Sequence, residues 1–440
     1  MEKLEKKSYP NIGETLYQET LDNGMKVYYL PKPLFNKAYA CISINYGSFD
    51  TSFTINDVIF TSPNGIAHYL EHKLFDMPDG TDAYEEMNKL GANANAFTSY
   101  DRTSYLFSST SNFNEALKAL FDFVFTPYFT DESVMKEKGI IEEEIKMYQD
   151  DPDEKNRKVL LKNMFHHHPI LIDIAGDIED IEQITKEDLY KCYDAFYRPS
   201  NMIAFFVGNF DLREAMKVIH DFNFKEYDQS QIIKNRPKYD LRVNKNLEII
   251  HTNAHFPKVY YGIILPALDL GMKEQMKFEF SINILTELLF CTSSTLFYDL
   301  IEKKYVNDNF SIDITNLKGF NLIIGDAETR YPMELYEELK RIFYSLDEFV
   351  VDIEQFNRLK KTLAGSYIKV FNNLEAIANI FTRYKFMDLD MFIINEVFNE
   401  ITIDDIYDLI KLIKKENISF LVVLPNEDEN DKMIEEEKNQ

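Results

Sequence analysis

Residues 68–72 read HYLEH, inside the longer stretch NGIAHYLEHKLF at 64–75. Two histidines sit four apart, and a glutamate stands directly before the second. In a helix, positions i, i+3 and i+4 share one face, so His68, Glu71 and His72 point the same way. Two imidazoles at that spacing are a pair of nitrogen ligands for zinc. A carboxylate beside them can take a proton from water activated by the metal. Ile66, Ala67, Leu70, Leu74 and Phe75 suit a helix packed on a core. The competing reading is a helix that merely carries two histidines. The chain has 8 His in 440 residues, and at that frequency the pattern arises by chance about 0.01 times, so the rest of the sequence has to supply its context.

A chain of 440 residues exceeds one ordinary core and calls for two or three domains. The 48 basic and 74 acidic residues leave a net charge of −26, which argues against nucleic acid as a partner. An acidic surface attracts basic ligands, peptides included, although acidity can also serve solubility alone. The three cysteines, Cys41, Cys192 and Cys291, are widely spaced and form no ligand pair, so they read as core residues in a reducing compartment. No apolar run reaches 18 residues and the first 18 residues carry no apolar leader. The expectation is a cytoplasmic protein without a membrane span.

The pattern along the chain is mixed. ETLDNGMKVYYLP carries an Asn-Gly turn between extended runs, and AYACISINYGSF is rich in β-formers. After the histidine motif, TDAYEEMNKLGANANAFTSYDRTSYLFSST reads as helix, glycine stop and two strands. NEALKALFDFVFTP and DESVMKEKGIIEEEIKMYQDDP read as helices, the second closed before Pro152. MIAFFVGNFD reads as a buried strand. Residues 225–244 turn polar and read as a linker, after which a similar order of elements returns. ITKEDLYKCYDAFYRPSNMIAFFVGNFD from Ile184 and ITIDDIYDLIKLIKKENISFLVVLPNED from Ile401 share residues in register at an offset of 401 − 184 = 217. Near that offset NILTELLF places Glu287 against Glu71, with Ile284 and Leu288 where the histidines would stand.

The expected fold is therefore α+β. It has two similar domains, each an antiparallel-rich sheet packed with helices. Residues 1–224 form the zinc-motif domain, 225–244 the linker and 245–425 a homologous domain without a metal site. Residues 426–440 form an acidic, disordered tail.

A catalytic zinc takes three protein ligands and keeps one position open. In MKEKGIIEEEIKMYQDD, Glu137 and Glu144 are seven apart on one helical face, while Glu142 and Glu143 fall on others. Alone, this run is equally a solvated acidic helix. With HYLEH upstream, Glu144 reads as the third ligand and Glu137 as the residue that orients a ligand.

HxxEH followed by a distant glutamate helix is the inverzincin signature. Residues 20–425 resemble the pitrilysin/insulysin metallopeptidases, and within them the short two-domain branch that includes mitochondrial processing peptidase and its bacterial relatives. GIAHYLEHKLF, GANANAFTS, EKGIIEEEIKMYQDDP and FYRPSNMIAFFVGNFD carry the resemblance. It implies zinc, one Zn2+ per chain, held by His68, His72 and Glu144. It also implies Glu71 as general base and Glu137 as its supporting glutamate. The glutamate follows the histidines at 144 − 72 = 72 positions, slightly closer than is usual. Asn95, Ala96, Phe97 and Thr98 fall on the family's substrate strand, an edge to which an extended peptide can add. HHHP at His166–His168 reads as a polar loop, since consecutive histidines in a loop share no face.

One departure stands out. Self-sufficient relatives carry an arginine and a tyrosine in the second domain, where LFYDLIEKKYVNDNF has Ile301 and Asp308, with Tyr305 displaced. The resemblance thus implies a zinc metalloendopeptidase, processing or peptide-degrading, that cleaves extended peptides or unfolded segments in a chamber. It would be the zinc subunit of a two-chain enzyme whose homologous partner carries the Arg/Tyr pair. The alternative is a non-catalytic peptide-binding or scaffold subunit.

Overall fold

The structure is a computed structural model that describes residues 4–227, 230–236, 240–307 and 309–426. In chain order its first part comprises β1 (Glu5–Tyr9), β2 (Glu14–Thr20), β3 (Lys26–Pro31), β4 (Ala38–Ile44), β5 (Ser52–Ile55), β6 (Val58–Thr61), α1 (Ile66–Lys73), α2 (Ala83–Lys89), β7 (Ala92–Thr98), β8 (Thr103–Ser109), α3 (Phe113–Val124), α4 (Asp131–Asp150), α5 (Pro152–Met164), α6 (Ile178–Gln183), α7 (Lys186–Phe196), β9 (Met202–Gly208), α8 (Leu212–His220) and β10 (Ile232–Lys234). Its second part comprises β11 (Leu247–Thr252), β12 (Lys258–Pro266), α9 (Met272–Phe290), α10 (Thr295–Glu302), β13 (Ser311–Leu317), β14 (Phe320–Glu328), α11 (Pro332–Tyr344), α12 (Ile353–Lys369), α13 (Leu374–Phe386), α14 (Ile394–Glu400), α15 (Ile403–Ile410) and β15 (Ile418–Pro425). This is the mixed α+β class that the patterning anticipates.

The chain forms two compact units. The first takes Met1–Met147, Ile172–Pro237 and Ile368–Phe392; the second takes Tyr148–Leu171, Lys238–Tyr367 and Ile393–Gln440. One cut near residues 225–244 describes most of this division but leaves out two exchanged segments. α5 lies with the second unit, where Met164 packs directly on Gly262 of β12, leaving no room there for a Cβ. α13 lies with the first, where Phe381 stacks on Phe205 of β9. Part of the polar stretch is also built in. β10 pairs with β5, and Lys234 and Arg236 bond the fully buried Asp50 at 2.8 and 2.6 Å.

The first unit is built on a seven-stranded sheet in the order β1-β2-β3-β9-β4-β8-β7, so β7 is an edge. The second has a five-stranded sheet in the order β11-β15-β12-β14-β13. The pair β3/β9 and the pair β11/β15 are parallel, and every step outward from them to β7 or β13 is antiparallel. The two sheets thus repeat one topology. The helices that precede β9 and β15 begin alike: Thr185 and Asp188 form a capping box on α7, and Thr402 and Asp405, each 217 residues on, form the same box on α15. Tyr190 Oη accepts from the Phe129 N–H, and its counterpart Tyr407 accepts from Val351 N–H. Ile284 and Leu288 of α9 are buried apolar residues.

Among the described residues no single helix is long and apolar enough to cross a membrane. Residues 427–440, most of the expected tail, and Asp308 lie outside the described residues. His168 departs from the polar-loop expectation. It is buried against Phe165 and Phe320, and its Nδ1 accepts from Ile170 N–H at 3.0 Å.

Candidate metal centre

α1 carries the HYLEH motif and starts at Gly65, whose φ of 78° is left-handed. A Cβ at this position would stand 2.2 Å from the carbonyl oxygen of Ala175, so only glycine lets the 175 segment close over the start of the helix. α4 starts in a reciprocal cap, with Ser133 N–H donating to Thr130 Oγ1 and Thr130 N–H to Ser133 Oγ. Two side chains of α1, one inside the motif and one directly after it, tie the helices together. Tyr69 Oη donates to the Val134 carbonyl, and the buried Lys73 ammonium reaches the Ser133 carbonyl at 3.4 Å and bonds Asp76. Neither was anticipated from the sequence, although a lysine inside an apolar run signals a buried cation in need of acceptors.

This docking brings His68, His72 and Glu144 together, with donor atoms all within 4.8 Å of one another. His68 Nε2 lies 3.7 Å from Glu144 Oε1, and His72 Nε2 lies 3.4 Å from Glu144 Oε2. Donors about 2.0–2.2 Å from a tetrahedral zinc lie roughly 3.3–3.5 Å apart, so the set fits zinc with little movement. Glu137 meets the other side of the His72 ring, with Oε1 3.0 Å from Nδ1. Glu142 and Glu143 turn away and pair with Lys146.

Burial and the neighbouring carboxylates pull the two histidines in opposite directions. Burial, with the charge of His72 adding, pushes His68 down to about 4. Burial opposes protonation of His72 as well, but the Glu137 and Glu144 carboxylates outweigh it and hold that imidazole up to about 9. The hydrogen bond to His72 keeps Glu144 below the ordinary carboxylate range. Asp173 adds negative potential at His68.

Glu71 is buried beside this set. Its Oε2 accepts from Thr98 Oγ1 at 2.6 Å, and among the described residues its Oε1 has no hydrogen-bond partner. Burial lifts the carboxyl above its ordinary range, with the Thr98 hydroxyl working against the shift.

The four residues expected on the substrate strand do fall on the edge strand β7, but they differ in role. Ser99 N–H donates to Arg102 O in register with the β7/β8 ladder, so residues 97 and 95 turn their backbone groups inward to β8. Ala94, Ala96 and Thr98 therefore turn N–H and C=O to the free edge, where the Ala96 N–H is already taken by a side chain. Asn95 and Phe97 offer side chains instead. Asn95 Oδ1 accepts from Ala96 N–H at 2.9 Å, and Phe97 lies under the Arg102 guanidinium at 5.4 Å.

Comparison with known proteins decides the family. Residues 59–177 match the family Insulinase (Peptidase family M16), and residues 183–363 match the Peptidase M16 inactive domain. A zinc protease of Bacillus subtilis, YmfH, is 41% identical over 409 residues, covering 92% of this chain and 95% of that one. The chain belongs to peptidase family M16. An M16-like peptidase from Alicyclobacillus acidocaldarius superposes with a TM-score of 0.87 at 29% identity, covering 96% of this chain and 99% of that one. A mitochondrial-processing peptidase subunit beta of Arabidopsis thaliana is 28% identical over 230 residues, covering 50% of this chain and 41% of that one. The M16 inactive-domain match includes Ile284 and Leu288.

Proposed function

We propose that this M16 chain is a zinc metalloendopeptidase acting on extended peptides or unfolded segments, as the zinc subunit of an assembly with a homologous chain. The observation that carries the reading is the convergence of His68, His72 and Glu144 with the Glu71 carboxylate buried beside them. His68 and His72 would hold zinc through Nε2 and Glu144 through its carboxylate. Bound there, zinc supplies Lewis acidity toward water and the scissile carbonyl. Glu137 holds the His72 ring through Nδ1, fixing its tautomer and orientation. Glu71 accepts the proton of the attacking water at Oε1 and returns it to the leaving amine. The outward backbone groups of Ala94, Ala96 and Thr98 receive the peptide as an added strand, which orders it before reaction. Metal analysis of the full-length chain, with cleavage of a quenched fluorescent peptide library by the assembly it purifies with, tests the reading. One zinc per chain with cleavage supports it; zinc-free chain, or zinc without any cleavage by the assembly, favours a peptide-binding scaffold.

A further inference from the structure

We infer that Thr98 is a positioning residue for the reaction, holding Glu71 by one carboxylate oxygen while its own backbone stands on the strand edge that receives the peptide. The inference rests on Glu71 as general base and on β7 as the docking edge.

Three observations converge on this one residue. Thr98 Oγ1 donates to Glu71 Oε2 at 2.6 Å, the short distance of a hydrogen bond to a charged acceptor. The donor direction is set by distance and charge. Thr103 Oγ1 lies 3.3 Å from Thr98 Oγ1 but spends its own proton on the Tyr46 carbonyl at 3.0 Å. The Thr98 proton therefore goes to the nearer, charged Glu71 oxygen rather than to Thr103. Finally, Thr98 ends β7 in the outward-facing phase, so its N–H and C=O lie on the free edge.

The consequence is geometric. A carboxylate on a single-bonded side chain can rotate, and a rotated Glu71 would present neither oxygen correctly to the attacking water. With Oε2 tied to Thr98, Oε1 is the oxygen that remains for the proton. The residue that ties it also takes its place in the added sheet. Peptide register and base position are therefore set from one Cα, and a peptide displaced along the edge would be displaced relative to the base. A threonine suits both duties: its branched side chain is stiff about χ1 and favours a strand.

The test compares wild type, Thr98→Ser and Thr98→Val in the full-length chain, isolated in the assembly in which it cleaves peptide. Zinc per chain, kcat and KM are measured for each. The account expects Thr98→Val to keep its zinc and its KM while kcat falls about 10- to 100-fold, the effect of losing one hydrogen bond to a charged group. Thr98→Ser, which keeps the hydroxyl, should stay within about threefold of wild type, a margin well below that effect. A Thr98→Val enzyme with unchanged kcat overturns the inference. So does a rise in KM alone, which makes Thr98 only a docking residue, and so does loss of zinc, which makes its role structural. Equal impairment of Ser and Val also overturns it. A wild-type assembly without zinc or cleavage instead removes the underlying peptidase reading, and this inference with it.

Discussion

Glu143 and Glu144 are adjacent in sequence and turn to different faces of α4. The Glu143 side chain is 76% exposed and pairs with Lys146, whereas the Glu144 carboxylate reaches both His68 and His72. Two like residues one position apart therefore give opposite expectations. Glu144→Gln replaces a carboxylate by a weak neutral ligand. Losing a residue that merely hydrogen-bonds a ligand costs roughly 10–100-fold in metal affinity, and losing the ligand itself should exceed that. Glu143→Gln should leave zinc affinity unchanged and stability within about 0.5 kcal/mol. Chelator competition measures both, and the reverse ranking would mean that the helix register is one residue out.

His168 gives a pH expectation in the second unit. Burial between Phe165 and Phe320 pushes its imidazole down to about 4, below the ordinary histidine range. Between about pH 6.5 and pH 4 the unfolded chain binds a proton that the folded chain refuses, so stability falls as pH falls through this window. His168→Asn keeps an acceptor for the Ile170 N–H and removes the titration. Urea midpoints at several pH values should fall less steeply with acid in the variant. Equal slopes would show that the folded protein takes up the proton freely.

Much of this was legible in the residues because it is local. HYLEH, the seven-residue spacing of Glu137 and Glu144, and the Thr-x-x-Asp starts of α7 and α15 are all set by helix geometry within a few positions. Relationships created by packing were not legible. Thr98 stands 27 residues from Glu71, and nothing in either neighbourhood says that the end of β7 lies over α1. The alternation of β7 gives its phase but not which phase faces the free edge; that depends on the turn at Ser99 and Arg102. The exchange of α5 and α13 between units is likewise invisible to periodicity, which marks an apolar face but not what covers it. His168 looked polar because its neighbours are; its burial follows from Phe320, 152 residues away (320 − 168 = 152).

Ile301 and Asp308 occupy the positions where self-sufficient relatives are expected to carry arginine and tyrosine, and Ile301 lies on α10. An isoleucine cannot donate to a developing oxyanion, so the purified chain alone should turn over slowly. Adding a homologous subunit with the arginine and tyrosine should raise the rate on the order of 10²–10³-fold, the usual effect of one such donor. Turnover by a homogeneous preparation of this chain that a second subunit does not increase would contradict the division of labour.

The central claim is that His68, His72 and Glu144 hold zinc and Glu71 works beside it as the base. Glu71→Gln addresses it most directly, because the amide keeps the side chain's size and leaves all three ligands in place. Zinc per chain and cleavage of one quenched peptide are measured on the wild-type and variant assemblies prepared in parallel. The account predicts one zinc per chain in both and a rate about 10²–10⁴-fold lower in the variant, the range for losing a general base. Retained cleavage by Glu71→Gln, or a zinc content lost along with the cleavage, would contradict it.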